Sequence, residues 1–312
     1  MEAPVARVSG FSVVAYAAIV AAALGIDGLS AAQSRDKVTA TPQTIFVSVT
    51  DKLRHLPVGG LGPADFVVKE DGKERPVLSA ARASQPLQVA VLVDDNGTGI
   101  FRYGLTGLAE LLQGRAELAL FMVTNQVQTV QDFSTSAALW QAGISRLGVR
   151  PGTPEGGQLI EGIFTAAREF RKREARRPVI VSLTVGGEEQ SQRLSKEVLE
   201  ELWKSHASLQ VVFAETIARP NRPLTRPSDL FDGNFNLSKV IGDGPKESGG
   251  RRRDVLTAGL MQTEVQQVGT DLLNQYEIVY ARPQGRQPLR LQVSVRGQAA
   301  EVIAPTRAPA AK

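Results

Sequence analysis

From Gln88 to about Ala214 the chain alternates short, predominantly apolar runs with segments of helical periodicity. The runs VAVLV (89–93), AELALFMV (116–123), PVIVSLTV (178–185) and LQVVFA (209–214) end in turn chemistry and show no polar face. A strand reads this way when both sides of its sheet are covered. Between the runs, Leu105, Leu108, Ala109 and Leu112 share one helical face of FRYGLTGLAELLQGR. Ile160, Ile163, Phe164 and Ala167 recur at helical spacing, and SKEVLEELWKSHA reads as a further helix. Strand and helix in alternation predict an α/β fold: a Rossmann-like, doubly wound, mostly parallel sheet with helices on both faces.

Both flanks of this block change texture. From Thr44 to Ala80 the pattern is β, and Asp71-Gly72 falls between two strand-like runs as a hairpin signal. YEIVYARP and LRLQVSVRG, near the other end, return to strands. An isolated hairpin is marginal in water, so the two β segments are expected to pack on each other as a small β-sandwich, with the α/β block inserted between them. The stretch from Arg219 to Gly250 is rich in Pro, Gly, Asn and Asp and reads as a long surface loop. A helix is expected from about Asp254, its N-cap, with Met261, Val265, Val268 and Leu272 on one face. The expected division is a signal peptide at 1–32, an N-terminal β segment at 33–86, the α/β domain at 87–274 with its loop at 219–250, and a C-terminal β segment at 275–304 packing with 44–80. A disordered tail at 305–312 completes it.

The first 32 residues carry an address. Phe11 to Ile26 is an unbroken apolar or small stretch, preceded by Arg7 and followed by Ser30-Ala31-Ala32, the layout of a secretory signal peptide cut before Gln33. An uncleaved anchor is the alternative, but the run is short for a span of about 20 residues and Asp27 follows at once. Either reading puts the rest outside the cytoplasm, secreted, periplasmic or in the cell envelope. No later stretch is apolar for long enough to span a membrane after cleavage.

Composition removes several classes of function. The chain of 312 residues has no cysteine, which excludes a disulfide scaffold, a thiolate metal site and a Cys nucleophile. Net charge is +4, held in local runs without aromatic interleaving, so no nucleic-acid partner is expected. The two histidines, His55 in a turn and His206 at a helix end, read as surface or packing residues. No Gly-x-Ser-x-Gly elbow, His-Glu-x-x-His or phosphate-binding loop occurs. The basic run RKREARR (171–177) reads as a solvated helix end that complements the helix dipole, or as a seat for an acidic partner; RRR at 251–253 reads the same way.

The candidate site is DDNGTG, where the run 89–93 meets Asp94. Ligands of open α/β sheets gather beyond the carboxyl ends of the strands, and Asp94, Asn96 and Thr98 offer oxygens at alternate positions of a tight loop, a pattern suited to Mg²⁺. Here the sequence resembles a von Willebrand factor type A domain, whose metal-ion-dependent adhesion site begins Asp-x-Ser-x-Ser after such a strand. The segment Val49 to Val77, SGGR at 248–251 and QYEIVYARP at 275–283 look like the flanks of that domain in a group of secreted bacterial proteins called VWFA-related. The resemblance covers roughly Thr44 to Val295.

The metal site departs from the family's pattern. Gly157 stands where the resemblance implies a Thr in the second loop, with Thr153 nearby, and Val185 stands where it implies an Asp in the third. Glu188 and Glu189 follow. A degenerate site is therefore expected, with no cofactor, and with Asp94, Asn96 and Thr98 bonded to their own loop.

The resemblance implies a non-enzymatic protein-binding module with no catalytic residues. Its docking face would be formed by Asp95, Gly97, Glu155, Glu188 and Glu189, and this acidic set suits a basic or polar protein surface. The alternative is a metal-dependent hydrolase using Asp94 and Asp95.

Overall fold

A computed structural model describes residues 40–54, 56–153, 156–214, 232–297 and 299–310. The expected signal peptide at 1–32, the first part of the expected loop (219–231), His55 and Glu155 lie outside these described residues.

The chain enters through β1 (Ala40–Asp51), β2 (Phe66–Glu70), β3 (Lys73–Arg75) and β4 (Val77–Arg82). Asp71 and Gly72 join β2 to β3 with φ of 47° and 79°, the pair of left-handed conformations that a two-residue hairpin turn demands. The α/β layer follows: β5 (Leu87–Asp94), α1 (Arg102–Leu112), β6 (Ala116–Val123), β7 (Val127–Ser134), α2 (Ala137–Arg146), α3 (Leu159–Lys172), β8 (Pro178–Thr184), α4 (Ser195–Ser205), β9 (Ser208–Phe213), α5 (Asp232–Ser248), β10 (Arg252–Asp254) and α6 (Ala258–Leu273). β11 (Tyr276–Pro283), β12 (Leu291–Val295) and β13 (Ala300–Ile303) close the chain.

Six strands form one sheet in the order β10-β9-β8-β5-β6-β7, parallel throughout except for β6 with β7. Side chains of β5 divide between the two faces. Val89, Val91 and Val93 meet Leu105, Leu108, Trp140, Val265 and Leu272 from α1, α2 and α6. Ala90 and Leu92 meet Ile160, Ile163, Val198 and Val240 from α3, α4 and α5. Fully burying each Val or Leu side chain stabilises by about 1.5–3 kcal/mol, which is why these strands carry no polar face. Helices α1 and α6 touch closely because Gly104 has no side chain; a Cβ there would lie 2.8 Å from Val265 Cβ.

The strands on either side of this layer meet. Sheet β13-β1-β11-β4 packs on sheet β12-β2-β3 around Val47, Phe66, Val68, Tyr276 and Ile278, giving a β-sandwich with one core. Glu70, fully buried inside it, accepts hydrogen bonds from Tyr280 Oη (2.7 Å), Arg282 Nε (2.7 Å) and Arg75 Nε (3.1 Å). A buried carboxylate is tolerated where it is paired and bonded in this way.

Three expectations are corrected. The stretch expected as a loop at 219–250 contains α5, whose Leu237, Val240 and Ile241 are buried at helical spacing; its Gly and Pro content masked that stripe. Asp254 does not cap a helix but ends the edge strand β10, and α6 begins after Thr257. The tail, expected to be disordered from 305, is docked through residue 310. Leu291 N–H donates to Thr306 O (2.8 Å), Trp203 Nε1–H donates to Ala308 O (2.7 Å), and Ala308 is buried.

Candidate site at the carboxyl edge of the sheet

Strand order reverses direction between β5 and β8, and in a doubly wound sheet such a switch point opens a crevice at the carboxyl ends. DDNGTG leaves β5 at that crevice, and Val185 leaves β8 beside it, its N–H donating to Asp94 O (2.9 Å). The loop closes on itself. Asp95 Oδ1 and Oδ2 accept from the N–H groups of Gly97 (3.0 Å) and Gly99 (2.8 Å), and Thr98 Oγ1 donates to Asp95 O (2.8 Å). Asn96 at φ 50° and Gly97 at φ 76° form the left-handed bend. Gly97 is required twice over, since a Cβ there would fall 2.5 Å from Arg150 O.

Both carboxylates are already engaged. Asp94 is buried and its Oδ2 accepts from Thr184 Oγ1 at 2.6 Å. Asp95 is buried too, and Arg150, from the loop after α2, sets Nη2 2.5 Å from its Oδ1. Of the other implied positions, Val185 and Gly157 carry no oxygen in their side chains. Val185 packs fully buried in the apolar cluster with Leu183 and Val212. Gly157 brings only backbone, within 3.4 Å of Asp94 Oδ1 for an added Cβ, and the Thr153 hydroxyl donates to Arg150 O (2.8 Å). Among the described residues no three His, Asp or Glu gather where they could hold a metal ion. A guanidinium at Asp95 and a valine for the third-loop carboxylate do not fit Mg²⁺, which demands near-ideal octahedral oxygen coordination.

Glu189 lies beside this loop and is buried. It bridges the strand-like backbone at Gly157, and its Oε2 and Oε1 accept from Ile160 N–H (3.2 Å), in the first turn of α3, and Ser191 N–H (3.0 Å). Burial pushes its carboxyl up to about 8; the backbone N–H bonds oppose that, and the Asp94 charge adds to it. Its own N–H donates to Asn234 Oδ1 (2.9 Å), which ties the loop to α5.

Comparison with known proteins gives fold-level likeness only. No family model matches the chain, and no curated protein matches it. Among solved structures, a von Willebrand factor type A protein from Catenulispora acidiphila is 12% identical, with 88% of this chain and 75% of that one covered at a TM-score of 0.45. The conserved hypothetical protein BatB from Bacteroides thetaiotaomicron is also 12% identical, with 60% and 98% covered at 0.43. Proximal thread matrix protein 1 from the mussel byssus is 11% identical, with 70% and 50% covered at 0.45. Counted from β5, the sheet order is 3-2-1-4-5-6 with the third strand antiparallel at the edge, and the Asp-x-Asn-x-Thr loop follows the first strand. The α/β layer is a doubly wound, mostly parallel sheet with one antiparallel edge strand.

Of the residues expected on the docking face, Asp95, Gly97 and Glu189 are instead buried and turn no side chain to a partner. Glu188 and Thr98 are exposed and Asn96 is half-buried, its Oδ1 accepting from Gly156 N–H (3.2 Å). Arg150 and Thr184 were not foreseen. Thr184 had a signal, a hydroxyl at the end of an apolar strand opposite Asp94; Arg150 had none beyond being a charged residue in the loop after α2.

Proposed function

We propose that this chain is an exported, non-enzymatic protein-binding module that presents the carboxyl-edge loops of its A-like layer to a protein ligand without a bridging metal. The observation that supports this most is Arg150 on Asp95. An adhesion site that works through a cation needs ligand oxygens free to complete its shell, and a hydrolase would need Asp94 or Asp95 free to move a proton. Here Thr184 and Arg150 hold those carboxylates instead. Among the described residues the face offers outward Thr98, the Glu188 carboxylate and Val149, which is 76% exposed, beside Pro151 and Gln190. A partner surface with a basic group for Glu188 and an apolar patch for Val149 is the complement.

The test is site-specific photocrosslinking in the native host with the probe at Thr98, compared with a probe at Glu110 on the outer side of α1. A discrete adduct from Thr98 alone, lost on Glu188→Lys, is expected. Equal labelling from both positions, or a hydrolytic activity removed by Asp94→Asn, overturns the reading.

A further inference from the structure

At the opposite end of the α/β layer, where β8 and β9 begin, a cleft of about 590 Å³ separates that layer from the β-sandwich. One wall is the first half of β1, Thr41 to Phe46. This half of β1 pairs with β11 on one side, Ala40 opposite Pro283 through Val47 opposite Tyr276. On the other side, pairing with β13 starts only at Ser48 opposite Ile303.

The direction of the unpaired groups follows from register. Ala281 N–H donates to Pro76 O (2.9 Å), away from β1, and Ala281 faces Pro42. In an antiparallel pair the two facing residues both turn their main-chain groups inward or both turn them outward. Pro42, Thr44 and Phe46 therefore direct theirs away from β11, and Pro42, which has no N–H, stands where an edge permits it. Among the described residues no main-chain hydrogen bond meets Thr44 or Phe46 on that side. Among the described residues an open ladder of strand length thus faces the cleft.

The cleft is also cationic. Five Lys or Arg line it against Glu174 and Glu247, and most belong to the basic run that the proposed docking face does not use. Arg176 is exposed and makes no ion pair among the described residues. Arg177 is buried; its Nη atoms donate to Gln85 O, Leu272 O and Gln275 Oε1, while its Nε has no partner among the described residues. Burial pulls its guanidinium down to about 10, against the opposing field of Glu277. Its guanidinium stands 5.2 Å from the Phe46 ring, at the β1 wall.

We propose that the open edge of β1 in this cleft accepts an extended acidic peptide as an added strand. Main-chain bonds to Thr44 and Phe46 supply affinity that is indifferent to sequence, and the basic wall selects for carboxylates. This surface lies at the other end of the strands from the loops that carry the proposed function, so the two can be tested separately.

The full chain is titrated with a fluorescein-labelled, end-capped peptide of alternating valine and glutamate, and with its valine and lysine counterpart, followed by anisotropy. The glutamate peptide alone is expected to bind, and Arg176→Glu to weaken it by about fivefold to tenfold. Hydrogen exchange at the amides of Thr44 and Phe46 is expected to slow when the peptide saturates, and Thr44→Pro, which removes one donor, to weaken binding by about fivefold. Equal binding of both peptides overturns the charge selection. Unchanged exchange at Thr44 and Phe46 under saturation overturns strand addition, and that measurement needs no variant to fold.

Discussion

Arg150 brings its guanidinium 2.5 Å from Asp95 Oδ1, and the two side chains are 19% and 1% exposed. Removing one partner of a buried pair leaves a charge without its counterion, which costs more than the pair contributes. Arg150→Met is expected to lower unfolding stability by about 3 kcal/mol at neutral pH, with Asp95→Asn in the same chain recovering part of it. Denaturant unfolding of the single and double variants reads this. A single variant within about 0.5 kcal/mol of wild type would mean that backbone N–H groups alone hold the loop.

The metal prediction follows from the same loop. A ligand stabilises by RT ln(1 + [L]/Kd), so millimolar Mg²⁺ is expected to move the melting temperature by less than about 1 °C. Val185→Asp does not rebuild a site, because Val185 points into the cluster with Leu183 and Val212. It is expected to destabilise by about 3 kcal/mol as a buried carboxylate, with no recovery in Mg²⁺. Adding Gly157→Thr is expected to make matters worse, since a Cβ there meets Thr124 O and Val123 Cγ1 at 3.1 Å. A rise of several degrees with Mg²⁺ in either variant contradicts this.

The parallel layer was legible because its strands are apolar on both faces, a pattern that little else produces. α5 was not, because Gly233, Gly242, Gly244 and Pro245 lower helix propensity while burial of Leu237, Val240 and Ile241 overrides it. The tail was missed for a similar reason: Ala308 and Pro309 look featureless, and their value lies in what they meet, Trp203 and Arg282. At the site, the loop and its departures at Gly157 and Val185 could be read directly. Which carboxylates face water could not, because Glu188 and Glu189 are neighbours in sequence and only the backbone path puts one outside and one inside.

Glu189 makes stability depend on pH. Its folded carboxyl titrates near 8 against an ordinary 4.5, so between those values the folded state binds more protons than the unfolded one, and stability falls as pH rises. Glu189→Gln, neutral throughout, removes that slope. Wild type is expected to be the more stable at pH 5 relative to the variant and to lose about 3 kcal/mol or more of that advantage by pH 9. A difference that stays constant across this range would show that the N–H bonds from Ile160 and Ser191 hold Glu189 ionised in the fold.

The docked tail gives the last test. Ending the chain after Ala304 removes the carbonyl of Ala308 that Trp203 Nε1 binds (2.7 Å), the Arg307 guanidinium 4.1 Å from the Trp203 ring, and the Arg307 pair with Glu200 (2.8 Å). It also takes the Pro309 carbonyl from buried Arg282, whose Nη1 donates to it at 3.0 Å. Net hydrogen bonds contribute about 1 kcal/mol each, and more where a charged donor is stranded, so a loss of about 3 kcal/mol is expected. Trp203, already part-exposed, then meets more water and its emission shifts to the red, while Trp140, buried on the inner face of α2, keeps its own. Arg307→Ala separates the two effects, since it keeps the Ala308 carbonyl and removes only the cation. Truncation that leaves both stability and emission unchanged means that residues 305–310 do not cover Trp203 in solution.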